Sequence, residues 1–295
     1  MTTLRFPPCL RPAALVLATV LATPVAAQDC FDRPLLIGRY HFPNPGQITP
    51  SWQDIYLWTP GQSAERLSRG AFPGVERDYT GFSAMAGRRV LFASSGPGGT
   101  DVTLGWMGTE DVDGDQQGDP YVELATGPLD LGTPVLRDNR VVMTVLDADG
   151  DAQVGLASLS ITMAGSSPVT TISDFVALTA DPGYPDGYSF VSADRVIYDV
   201  DGDGLVFIDL PGGTATPAPL PLQFVREPTV PASGDRVIFS ALQGGSLDLF
   251  EAAILPGPTL GAPQPLFTTP DANESGAAIS PDGRCLAWVS TPRVD

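Results

Sequence analysis

Ile279-Ser280-Pro281-Asp282-Gly283-Arg284-Cys285-Leu286-Ala287-Trp288-Val289-Ser290 reads as the end of one strand, a tight turn and a second, apolar strand. Pro281 presets φ for the turn, Asp282 can accept a hydrogen bond from the backbone ahead of it, and Gly283 tolerates the positive φ that closes a tight hairpin. The second strand has four upstream counterparts: Arg89-Val90-Leu91-Phe92-Ala93-Ser94, Arg140-Val141-Val142-Met143-Thr144, Arg195-Val196-Ile197-Tyr198-Asp199 and Arg236-Val237-Ile238-Phe239-Ser240. Each is an arginine followed by an apolar run, and from Arg89 to Arg284 the arginines stand 51, 55, 41 and 48 residues apart. One four-stranded meander with loops of variable length occupies about that much chain, so each repeat reads as one blade of a β-propeller.

On these residues the chain resembles the TolB-like β-propellers, whose repeat runs Ser-Pro-Asp-Gly, a basic residue, an apolar strand, Asp-Ile-Tyr and a later Leu-Thr. Ser280-Pro281-Asp282-Gly283 carries the first part. Asp54-Ile55-Tyr56 and Asp248-Leu249-Phe250 are similar to the third-strand signature, and Leu67-Ser68 and Leu266-Phe267-Thr268 to the fourth. In the middle copies Ala193-Asp194 and Ser233-Gly234-Asp235 replace Ser-Pro-Asp-Gly. The resemblance spans Arg33 to Ser290 and implies an all-β propeller of four-stranded blades. It also implies a non-enzymatic scaffold that binds a protein or a small ligand at a face of the ring.

No window shows a sustained 3.6-residue apolar period, whereas β-branched and aromatic residues cluster in short runs bounded by Gly, Pro and Asp. The C-terminal copy supplies only two strands, Ala277 to Ile279 and Arg284 to Ser290. Asp54 to Trp58 and Ala64 to Ser68 read as a third and fourth strand, so the two chain ends are expected to share the closing blade, because open strand edges invite unwanted pairing. This count gives five blades. If Arg33-Pro34-Leu35-Leu36-Ile37 is a true copy, the count becomes six. The segment from Pro211 to Pro221 reads as a proline-rich loop.

Arg5, Arg11, the apolar run Ala13 to Ala22 and the small residues up to Ala27 form the pattern of a secretory signal peptide. This makes 1–27 a cleaved leader and 28–295 a single domain, located in the periplasm or outside the cell. Ten apolar residues are too few to span a bilayer. The leader holds two of the 16 basic residues, all arginine, and no acid, so the mature chain carries 14 arginines against 34 acids, a net charge of −20. That charge excludes nucleic acid, whose recognition rests on basic patches, and points to a soluble protein, expected to be a monomer. Two cysteines then remain, Cys30 and Cys285. In an oxidising compartment they are candidates for a disulfide tying the two ends, the other reading being two separate thiols.

Three loops contain Asp-x-Asp-Gly-Asp: Asp111 to Asp115, Asp147 to Asp151 and Asp199 to Asp203. Alternating carboxylates can direct several oxygens at one hard cation. The first continues to Asp119, so Asp111, Asp113, Asp115 and Asp119 form the candidate metal set and Ca²⁺ the ion it would take. The pattern departs from the EF-hand, with no glycine at its sixth position and Val122 at its twelfth. The other two loops read equally well as hairpin turns. The only histidine, His41, lies in or beside the first strand without a nucleophile motif, and there is no lysine for a Schiff base. These features argue against acyl-transfer chemistry. Acid pairs leave one enzymatic alternative, a metal-assisted hydrolase or lyase acting on glycan or lactone substrates. Trp52, Trp58, Trp106 and Trp288 could line such a site but fit blade cores better.

Overall fold

The computed structural model describes residues 17–21, 35–41, 52–59, 61–68, 78–84, 89–95, 102–108, 122–127, 134–146, 152–164, 167–179, 187–200 and 202–293. Every regular element among them is a strand. In chain order, β1 (Leu17–Leu21) precedes a three-stranded sheet of β2 (Leu35–His41), β3 (Trp52–Trp58) and β4 (Glu65–Arg66). The second sheet is β5 (Asp78–Ala84), β6 (Arg89–Ser95), β7 (Val102–Gly108) and β8 (Val122–Gly127). The third is β9 (Val135–Arg137), β10 (Arg140–Leu146), β11 (Ala152–Ala164) and β12 (Ser167–Ala177). The fourth is β13 (Tyr188–Ser192), β14 (Arg195–Asp199), β15 (Leu205–Asp209) and β16 (Thr216–Ala218). The fifth holds β17 (Gln223–Thr229), β18 (Arg236–Gln243), β19 (Ser246–Leu255), β20 (Thr259–Leu260) and β21 (Gln264–Phe267), with β20 and β21 both pairing β19. The sixth has β22 (Ala272–Ile279) and β23 (Leu286–Pro292), with β1 on the far side of β23.

Every sheet is antiparallel, and each sheet is packed against the next. Ile55 and Leu67 of the first meet Val90 and Phe92 of the second, while Val142 and Val154 of the third meet Phe190 and Val196 of the fourth. Ile197 and Phe207 of the fourth meet Phe239 and Phe250 of the fifth, and Ile238 and Leu249 of the fifth meet Leu286 and Trp288 of the sixth. The first strands β5, β9, β13, β17 and β22 contact one another in that order, which is the arrangement of blades around an axis. Second strands lie between two neighbouring sheets and are therefore buried on both faces. From Val237 to Ala241 every residue is buried, and the same double burial explains why arginine followed by an uninterrupted apolar run marked these strands in the sequence.

The quoted turn forms as its residues dictate. Gly283 has φ +70° and its N–H donates to the Ser280 carbonyl at 2.8 Å, while Asp282 Oδ1 accepts from the Arg284 N–H at 3.2 Å and the Ser280 hydroxyl at 2.6 Å.

Two expectations are corrected. The strands at Asp54 to Trp58 and Ala64 to Ser68 do not complete the last sheet. The first lies in β3, which pairs β2 in full register, Leu35 opposite Trp58 and His41 opposite Trp52, and the second holds β4, which pairs β3. The terminal strand that does reach the last sheet is β1, paired antiparallel with β23 from Leu17 opposite Ser290 to Leu21 opposite Leu286. The segment from Pro211 to Pro221 is also not wholly loop. Thr216–Ala218 forms the edge strand of the fourth sheet, where Pro217 is tolerated because an edge needs only half of its backbone groups paired.

Candidate functional site: carboxylates and arginines at the seams

The repeated arginines act between sheets. Arg140, heading β10, donates from Nη1 to the Ala193 carbonyl at 2.5 Å and to Asp194 at 3.2 Å in the turn of the next sheet. Arg236, heading β18, donates from Nη2 to the Gly283 carbonyl of the next turn at 2.8 Å. Arg195 bonds Asp209 within its own sheet at 2.6 Å and reaches the Gly257 carbonyl of the fifth sheet at 3.1 Å. The Asp209 carboxyl is held below its usual range by that hydrogen bond from Arg195, and the Arg195 guanidinium is correspondingly raised. A guanidinium at this position has the length and donor number to clamp a neighbouring turn while its stem covers apolar surface.

Buried carboxylates act within the sheets and, at Asp199 and Glu227, across the seams. Asp54, at 1% exposure, accepts from Arg66 at 2.7 Å and from the Ser68 hydroxyl at 2.6 Å, and Ser68 in turn accepts from the Ile55 N–H. The Asp54-Ile55-Tyr56 and Leu67-Ser68 signatures are thus two halves of one polar cluster. Asp199, fully buried, accepts from the Gly187 N–H at 3.0 Å and, across the seam, from the Glu227 N–H at 2.6 Å. Glu227, held at φ +56°, passes the link on, since its Oε2 accepts from the Gly276 N–H of the sixth sheet at 2.7 Å and from the Ser240 hydroxyl at 3.2 Å. Side chain to backbone bonds from Val230 to Ser189 and from Ile279 to Thr229 run alongside.

Asp248 and Glu274 complete the series differently. Asp248 accepts from Ser246 through Oδ2 at 3.2 Å, but its Oδ1 and Glu274 Oε2 are buried without a hydrogen-bond partner. Burial pushes the Glu274 carboxyl above its ordinary range, and the nearby Asp248 charge pushes it the same way, against hydrogen bonds from Thr269 and Ser290. Asp54 has Arg66 as its counter-charge, whereas the groups acting on Glu274 include no base.

Asp111, Asp113, Asp115 and Asp119 lie outside the described residues, as do Asp147, Asp149, Asp151, Asp201, Cys9 and Cys30. In chain order residues 109–121 fall between β7 and β8, 147–151 between β10 and β11, and 200–204 between β14 and β15. In the last of them Asp199 points into the seam, where it accepts from Gly187 and Glu227. Among the described residues no group of three or more His, Cys, Asp or Glu side chains could hold a metal ion. Cys285 is disulfide-bonded, directly ahead of β23. Of the tryptophans, Trp288 is buried and stacks on Phe267 at 4.4 Å between ring centres. Glu227 and Glu274 were not singled out in the sequence. Their one signal was an acid 9 residues before Arg236 and 10 before Arg284.

The fold is therefore that of a β-propeller. Among solved structures it is similar to one described as a TolB from Agrobacterium tumefaciens, with a TM-score of 0.54 and 13% identity, covering 83% of this chain and 85% of that one. At that identity the likeness concerns the fold, which is TolB-like. No family model matches the sequence, and no curated protein matches it. Among the described residues no helix is long and apolar enough to cross a membrane.

Proposed function

We propose that this protein is an exported, non-enzymatic TolB-like propeller, a rigid scaffold that binds a protein or small ligand at a face of the ring. The observation supporting this most is the use of the buried charge. Asp54, Asp199 and Glu227 are engaged by an arginine, hydroxyls and backbone N–H groups, so they stiffen the sheets and leave recognition to the loops at either end. The six sheets are read as six blades, the first and last being the shortest of their own strands. Residues 1–27 are read as a leader removed on export to the periplasm or beyond, leaving one monomeric domain from residue 28. Cys30 is read as the partner of Cys285, joining the two ends of the mature chain. The 111–119 loop is read as a Ca²⁺ site through Asp111, Asp113, Asp115 and Asp119.

The test is retrieval of binders from a cell-envelope fraction with the mature chain, followed by titration of the purified binder. A saturable complex of fixed stoichiometry is expected. Turnover of a glycan or lactone panel that disappears with EDTA would replace this reading with the metal-assisted enzyme.

A further inference from the structure

We propose that Phe224 and Asp203 form a site for an arginine side chain of a partner polypeptide, at one end of the ring where the fourth and fifth sheets meet. This rests on the scaffold reading and deepens it by naming the surface and the chemistry it selects. Phe224 is 58% exposed, the most exposed large apolar side chain among the described residues, and its φ is +49°. In the left-handed region its Cβ crowds the following carbonyl, and a solvated ring gains no burial to offset that cost. The conformation comes from a bulge, since β17 shifts register against β18 between Gln223, opposite Leu242, and Arg226, opposite Ser240. Bulges re-aim side chains, and strained backbone of this kind clusters at ligand-binding positions.

The aromatic ring is held in place by the loop after β14. The Val225 N–H donates to the Gly202 carbonyl at 3.0 Å, Asp203 forms a parallel bridge with Val225, and a Cβ at Gly202 would stand 3.2 Å from Phe224 Cδ1. The missing side chain at Gly202 thus lets the loop lie against Phe224. Beneath this junction Val225 is buried in the core between the two sheets, and Asp199 accepts from the Glu227 N–H across the seam. The loop then presents Asp203, exposed and next in sequence to Gly202. Groups fixed in this way lose little further entropy on binding.

Among the described residues no base pairs with the Asp203 carboxylate, and no ring or guanidinium stacks on Phe224. An exposed aromatic face with a carboxylate at the same junction suits a guanidinium, whose plane stacks on the ring while its N–H groups donate to the carboxylate. A lysine ammonium lacks the plane and holds its water more strongly. With 34 acids against 16 arginines, the chain attracts a cationic side chain and disfavours the α-carboxylate that free arginine carries. The occupant is therefore an arginine within a polypeptide.

The probe is acetyl-Gly-Arg-Gly-amide, titrated into the purified protein by NMR beside the matching lysine peptide. Saturable binding of the arginine peptide is expected, weaker by about threefold or more for lysine and for the Phe224→Gly and Asp203→Asn proteins. Asp235→Asn, an exposed acid in the turn that follows β17, should bind as wild type does. Phe224→Gly should also raise Tm, because glycine takes a positive φ without strain, and a gain of stability with a loss of binding is not what a merely structural residue gives. Equal binding by the Phe224→Gly protein, equal affinity for the lysine peptide, or an equal loss in Asp235→Asn would overturn the proposal and leave only diffuse charge. A binder retrieved from the envelope fraction whose affinity ignores Phe224→Gly would overturn this site while the scaffold reading stands. Failure to retrieve any binder while the arginine peptide behaves as expected would count against the scaffold reading alone.

Discussion

Replacing Asp199 by alanine removes both acceptors that this side chain offers to backbone N–H groups, Gly187 at 3.0 Å and Glu227 at 2.6 Å. Each bond has a charged acceptor and Asp199 is fully buried, so each contributes about 1.5–3 kcal/mol, and truncation leaves both donors short of a partner. The loss should be about 3–5 kcal/mol, a fall in Tm of roughly 6–15 °C for a domain of this size. Asp199→Asn should lie between wild type and alanine. Its amide oxygen can serve one N–H, but its NH₂ group meets the other. Urea unfolding of residues 28–295 followed by tryptophan fluorescence gives the change, read from the midpoint at unchanged slope. The same loop carries Asp203, which is exposed, and Asp203→Asn should cost little. If Asp199→Ala cost under about 1 kcal/mol, or if its cost appeared only in the presence of Ca²⁺, the carboxylate would not be the seam's acceptor and the account of these sheets would fail.

Arg236→Ala should destabilise by about 1–2 kcal/mol, because one charged donor to the Gly283 carbonyl is lost at a half-buried seam, and the same urea titration reads it. The Glu274 carboxyl is raised by burial, so the folded state keeps its proton at pH values where the unfolded chain has released it. Its contribution is then favourable below the unfolded value and is lost as pH rises through the folded one. Glu274→Gln should accordingly flatten the decline of stability with rising pH and stabilise the domain at pH 7. An unchanged pH profile in paired melts of the two proteins would refute this. Millimolar Ca²⁺ should raise the Tm of the mature chain through the 111–119 loop, by about 2.7 kcal/mol of stability at one hundred times the dissociation constant, and Asp113→Asn should abolish the rise. Calorimetry with EDTA and Ca²⁺ in turn checks both proteins.

The second strands were legible because burial between two neighbouring sheets leaves no polar alternation, only an arginine and an apolar run, as at Arg89, Arg140, Arg195 and Arg236. The Pro-Asp-Gly turn was equally legible, since its conformation is set by three adjacent residues. First strands were not. β17 contains Arg226, Glu227 and Pro228, has φ +49° at Phe224 and +56° at Glu227, and pairs β18 through two register shifts. Its conformation follows from what the neighbouring sheets donate and accept, so no local pattern announces it.

The candidate site divides in the same way. Asp54 and Asp248 stood out by their repeat position, but their environments did not. Residues 12 and 14 places along the chain, Arg66 and Ser68, neutralise and fix the first, while the second faces Glu274 from another sheet. An all-β chain of repeating meanders, the turn chemistry and a strongly acidic surface could be read directly from the residues, because each follows from neighbouring residues or from composition. That Asp54 to Trp58 pairs within the first sheet, that β1 lies beside β23, and that Asp199 bonds a backbone group 28 residues away became visible once the sheets were packed together. Strand edges and buried acceptors look alike in sequence, and their partners are chosen by the packing of whole sheets.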